Sequence, residues 1–176
     1  MTTYIALLRG VNVGGNTLKM DRLREMCGEL GFENVRTYLQ SGNVLFEAGE
    51  SPSKVLQMLE KKLVGQTRLP ISVIVRTSAD LGSVIARNPF LKDKAIDIAK
   101  LHVTFLQGAA TNEAAMKLSA IPAARDAFFV AGKEIYLHCP DGYGNTKLSN
   151  NVIQKVLGVT ATTRNWNTVN HLYGII

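Results

Sequence analysis

The residues best suited to chemistry in this chain lie in short polar loops rich in glycine. Arg9 leads into GVNVGGNT, which places Gly10, Asn12, Gly14, Gly15, Asn16 and Thr17 directly after an apolar run. Against the phosphate-loop pattern GxxxxGK[ST], Gly10, Gly15 and Thr17 fall in register, with Asn16 where the lysine belongs. A phosphate loop uses that lysine for charge and starts a helix at once, so that free N–H groups face the anion. Here the helical spacing begins only near Met20–Asp21. No apolar strand ends in an aspartate that could hold magnesium, because ISVIV runs into Arg76 and LHVTFL into Gln107. These features argue against a nucleoside triphosphatase. What the loop retains is a run of backbone N–H groups beside Arg9, the makings of an anion-binding nest. The competing structural reading is a turn that needs positive φ at Gly14 or Gly15.

Other candidates are weighed the same way. GYGNTK, Gly142–Lys147, precedes apolar positions at helical spacing, so Asn145 or Thr146 is expected to cap a helix running from about Lys147 to Leu157. Its free N–H groups beside Lys147 form a second anion-site candidate, and an ordinary capped turn is the alternative. Arg164, Asn165 and Asn167 bracket the single tryptophan, Trp166, for which a core position with polar neighbours is the simpler reading. His138 and Cys139 resemble a base and thiol, but adjacent strand residues point to opposite faces and cannot form a dyad. His102, His138 and His171 lack metal-ligand spacing, and the acidic residues are scattered, with Asp141 beside the GYG turn the one of interest. No metal and no cofactor are predicted.

The elements that must hold these loops follow from periodicity and turn chemistry. Thr3–Arg9 is a buried strand, Met20, Leu23, Cys27 and Leu30 recur at helical spacing, and Gly31 stops that helix. Val35–Gln40 and Asn43–Glu47 are strands joined at Ser41-Gly42, Ser51-Pro52 starts a second helix, and Ile71–Arg76 is a fourth strand. The order βαββαβ makes residues 1–77 a ferredoxin-like α+β unit. Residues 78–98 read as a helical connector. Residues 99–176 read as a second α+β unit of similar βαββα order, with TTRNWNTVNHLYG forming a last helix. Both faces of the first strand are apolar, so the second unit is expected to pack on the first. The split βαβ crossover makes the first two strands parallel. The loops Arg9–Thr17 and Gln40–Asn43, the latter holding Gln40, Ser41 and Asn43, therefore share one edge.

Composition limits the function further. Of 176 residues, 46% are hydrophobic and 19% charged, as in a globular protein with a core. The net charge of +6 is spread evenly, with ten Lys/Arg against seven Asp/Glu in residues 1–76 and again in 77–176. An even excess is weak support for nucleic-acid binding, which clusters its cations. The first and third strands, where RNA-recognition domains stack bases, supply only Tyr4 and Phe46. Two distant cysteines, no membrane-length apolar run and no leader pattern predict a cytoplasmic protein.

YIALLRGVNVGG, TYLQSGNVLF, NPF at 88–90, GYGNTKLSNN and TTRNWNTV together resemble the bacterial family called domain of unknown function 1697. The resemblance covers nearly the whole chain. It implies a compact cytoplasmic protein with a ferredoxin-like N-terminal part and carries no assigned activity. The expectation for function is binding of a small anionic or phosphate-bearing ligand at the edge formed by Arg9–Thr17 and Gln40–Asn43, joined by Lys147 or Arg164. The alternatives are a nucleic-acid binding module and a partner-binding scaffold without catalysis. Oligomeric state is left open.

Overall fold

A computed structural model describes residues 1–176, and the chain divides into two compact units, Met1–Gly82 with Leu172–Ile176, and Ser83–His171. The first contains strands β1 (Thr2–Arg9), β2 (Glu33–Tyr38), β3 (Asn43–Ala48) and β4 (Ser72–Thr77), with helices α1 (Met20–Glu29) and α2 (Pro52–Thr67). Helix α3 (Ser78–Ala86) follows β4 and spans the unit boundary. The second contains β5 (Leu101–Leu106), α4 (Asn112–Ser119), β6 (Ala127–Ala131), β7 (Glu134–His138), α5 (Asn150–Leu157) and β8 (Ala161–Asn165). Helix α6 (Trp166–Gly174) ends the chain.

Each unit has a four-stranded sheet, ordered β2-β3-β1-β4 in the first and β6-β7-β5-β8 in the second, antiparallel at every pairing. Both orders are those of a split βαβ arrangement, in which the first strand of the unit is central and flanked by its third and fourth. The fold is α+β, as expected. The last segment corrects one expectation: residues 161–165 are not helical but form β8, so the second unit completes a βαββαβ order. Helix α6 begins only at Trp166, where Asn165 Oδ1 accepts from Thr168 N at 2.7 Å.

The registers place the units on a common frame. Ile5 faces Arg76 and Val103 faces Arg164, while Leu45 faces Arg36 and Tyr136 faces Phe129. Helix-facing residues alternate along each strand, as period-two geometry requires. In the first unit Tyr4, Ala6, Leu8, Val44, Phe46 and Val73 form that face. Phe32 stacks on Phe46 at 4.4 Å. Leu23 and Leu59 drive α1 and α2 onto this face, each buried side chain contributing about 1.5–3 kcal/mol. Ser51 caps α2 by accepting from Lys54 N at 3.4 Å, with Pro52 in the first turn. In the second unit Leu106, Ile135 and Leu137 meet Leu118 of α4 and Ile153 of α5.

Candidate functional site

The GVNVGGNT segment folds back on itself. Gly14 and Gly15 have φ of +57° and +86°, and Asn16 N donates to Val13 O at 3.0 Å, the signature of a type I′ turn closing a two-residue hairpin. The pair of glycines is thus required by the turn. Asn12, itself at φ +53°, organises the base of the loop. Its Nδ2 donates to Leu18 O at 3.0 Å and to Gln40 O at 2.6 Å, and its Oδ1 accepts from Leu18 N at 2.9 Å. Asn16 Nδ2 donates to Gly10 O at 3.2 Å.

The second loop meets the first. Leu8 N donates to Gly42 O at 2.8 Å. A Cβ on Gly42, at φ +80°, would lie 2.6 Å from Val11 Cγ2 and 2.8 Å from Leu8 Cβ. Asn43 is fully buried and donates from Nδ2 to Tyr38 O at 2.7 Å and to Ser41 Oγ at 3.1 Å. Gln40 and Ser41 are exposed, and Arg9 is half-buried at the end of β1, opposite Ser72. The structure therefore brings Gly10–Asn16 and Gln40–Asn43 to one end of a single sheet. Asn12, Asn16 and Asn43 point much of their hydrogen-bonding capacity at backbone.

A cleft continues from this loop. Thr17, Lys19, Arg22, Gln66 and Thr67 surround Leu18, Met26 and Leu69 in a cavity of about 490 Å³ between the start of α1 and the end of α2. Lys19 occupies the N-cap position of α1 without a side-chain cap hydrogen bond, and both Lys19 and Thr17 are exposed. Arg22 is held by Glu25 at 2.9 Å, Glu29 at 3.2 Å and Gln66 Oε1 at 2.5 Å. Glu29 also receives Lys62 Nζ at 2.5 Å, and the hydrogen bonds from Lys62 and Gln66 bring its carboxyl down to about 2. Nothing in the GVNVGGNT motif pointed to Lys19 or Gln66. Only the folding of α1 beside α2 brings them together.

Lys147 and Arg164 belong to the second unit. The expected cap of α5 is corrected: the helix starts at Asn150, and Ser149 accepts from Val152 N at 3.5 Å, while the Thr146 hydroxyl donates to Asp126 at 2.5 Å. Lys147 is exposed and lies before this cap. Arg164 is only 8% exposed and donates to Thr162 Oγ1 at 2.8 Å and Thr163 O at 3.0 Å. Burial lowers its pKa to about 10. Arg76, at the matching position of β4, is also buried and donates to Val75 O at 3.0 Å. Trp166 is a core residue. Burial raises Cys27 to about 12 and Cys139 to about 11, the wrong direction for a nucleophile. His102 stacks on Tyr143 at 4.9 Å, and desolvation lowers its pKa.

Comparisons with known proteins fit this description. The chain is similar to the conserved bacterial protein SP0830 from Streptococcus pneumoniae, with a TM-score of 0.80 at 22% identity, covering 98% of this chain and 97% of that one. That likeness is one of fold. No helix is long and apolar enough to cross a membrane. No curated protein matches the sequence. Residues 1–136 match the family described as protein of unknown function (DUF1697), and the chain belongs to that family.

Proposed function

We propose that the first unit binds a small anionic, phosphate-bearing ligand beside the Arg9–Thr17 and Gln40–Asn43 loops, with the cleft at the start of α1 receiving its anionic group. The observation that carries this reading is the cleft itself. Its volume of about 490 Å³ suits a small ligand. Its floor of Leu18, Met26 and Leu69 is apolar, and its rim carries Thr17, Lys19 and Gln66. Helix α1 opens at this rim with a lysine where a capping acceptor usually sits, so its first N–H groups and Lys19 favour negative charge together. Arg22 adds less, because Glu25 and Glu29 already balance it.

The test is thermal stabilisation of the whole chain by inorganic phosphate, nucleotides and phosphorylated sugars. A binder present at a hundredfold excess over Kd adds about 2.7 kcal/mol, a shift of several degrees. Lys19→Ala is expected to abolish the shift and Arg9→Ala to weaken it. If no compound shifts the melting temperature, or if Lys19→Ala leaves the shift intact, the assignment fails.

A further inference from the structure

The two units build the same edge strand twice and finish it differently. In the common register Arg36 of β2 corresponds to Phe129 of β6. Edge strands are normally protected from pairing by charges and by bulges. Strand β2 has both, with Glu33 and Arg36 and a register shift between them. Strand β6 reads AFFVA, has no charge, and pairs evenly with β7 over all five residues. Phe129 is 53% exposed. Along the strand a groove of about 680 Å³ runs beside α4, where Met116 is 74% exposed.

We propose that β6 pairs antiparallel with β6 of a second copy of this chain, joining two four-stranded sheets into one of eight strands. The hairpin geometry sets the register. Ala131 and Glu134 close a two-residue turn whose first residue, Gly132, has φ +62°, as a type II′ turn requires. The closing pair and every second pair after it exchange hydrogen bonds with β7, so Phe129 and Ala127 bond inward. The N–H and C=O groups of Phe128 and Val130 therefore point off the open edge.

A two-fold axis through Phe129 sets Phe128 opposite Val130 of the second copy, and the reverse. All four outward groups of each strand then find partners. Phe129 stands opposite its own copy as a non-hydrogen-bonded aromatic pair. The same axis sets Lys133 opposite Arg125 of the second copy at both ends. Arg125, the nearest charge of the sign of Lys133, is balanced by Asp141 at 2.8 Å. A contact of five residues per strand is small beside the roughly 1,200–2,000 Å² that stable pairs bury, so the dimer forms as concentration rises.

Sedimentation equilibrium of the whole chain tests this. The average mass is expected to climb toward twice that of one chain. Phe129→Lys, with its fold verified by circular dichroism, is expected to stay at the mass of one chain. Phe129→Cys places two Cα atoms about 4.5 Å apart across the axis, within disulfide range, and is expected to cross-link on mild oxidation. Leu39→Cys, at a position 51% exposed, is expected not to, and the native Cys27 and Cys139 are buried. A single-chain mass at every concentration overturns the proposal. So does a dimer that survives Phe129→Lys, or cross-linking of Phe129→Cys no faster than that of Leu39→Cys.

Discussion

Asn12 offers the sharpest test of how the GVNVGGNT loop is held. Its side chain makes three hydrogen bonds, two with Leu18 and one to Gln40 O, and its backbone sits at φ +53°. Asn12→Ala removes all three. The two partly buried bonds are worth about 1 kcal/mol each and the exposed one about half that. Alanine in the left-handed region costs a further 1 kcal/mol or so, a cost that asparagine largely avoids. The expected loss is about 3.5 kcal/mol, or a fall in melting temperature of roughly 7–14 °C for a chain of this size. Urea denaturation and calorimetry measure both quantities. Asn12→Gly separates the contributions, because glycine tolerates the backbone and loses only the hydrogen bonds, so it should fall short of the alanine variant by about 1 kcal/mol. If Asn12→Ala costs less than about 1 kcal/mol, or if the two variants are equal, the side chain is not what ties the loops together.

Two further outcomes follow from the same region. Gly42→Ala forces a left-handed alanine into Val11 and Leu8 and is expected to cost more than about 2 kcal/mol, whereas Gly14→Ala, at φ +57° with no atom within 4 Å of the added Cβ, should cost only the backbone preference of about 1 kcal/mol; chemical denaturation ranks the two. Because Glu29 is lowered from 4.5 to about 2, its ion pairing stabilises the fold above pH 4.5 and is lost as pH falls toward 2, so Glu29→Gln should flatten the stability profile in that window and leave its alkaline limb unchanged.

The first unit was largely legible because each element announced itself locally. Gly31 ended α1, Ser51-Pro52 opened α2, and alternating apolar residues marked the strands. The meeting of the two loops followed from topology alone, since β1 and β2 must run parallel on either side of β3. Strand β8 was hidden for a physical reason. Arg164 is buried, so ATTRN shows no apolar alternation, and Trp166, Val169 and Leu172 extended a helical pattern backward across it. The cue lay in the other unit, where SVIVRT also carries a buried arginine one residue before its end and runs straight into a helix. The α5 cap was misplaced because Leu148 is fully buried and must enter the core before the helix can start. Lys19 and Gln66 are 47 positions apart in a sequence that offers no local sign of their meeting.

The common frame of the two units also explains the GYGNTKLSNN motif. In the first unit the core position beside Tyr4 on the central strand is Ala6, and β4 supplies Val75. At the same positions the second unit has Thr104 and Thr163, whose hydroxyls bond each other at 2.7 Å. A hydroxyl pair beneath a helix is costly unless its remaining capacity is satisfied. Thr163 passes that demand to Asn150 Oδ1, which also accepts from the Tyr143 hydroxyl at 3.3 Å. Asn150 N donates back to Tyr143 at 3.2 Å, so the tyrosine fixes the first residue of α5. Tyr4 performs the corresponding task in the first unit, donating to Glu50 O at 2.6 Å just before α2. His102 stands where Tyr4 does and cannot reach that far, so it stacks on Tyr143, which the longer loop before α5 delivers from outside the sheet. The tyrosine and asparagine of this motif, together with the threonines of β5 and β8, are therefore a single anchoring device for α5, which is why the anion-site candidate is better sought at the start of α1.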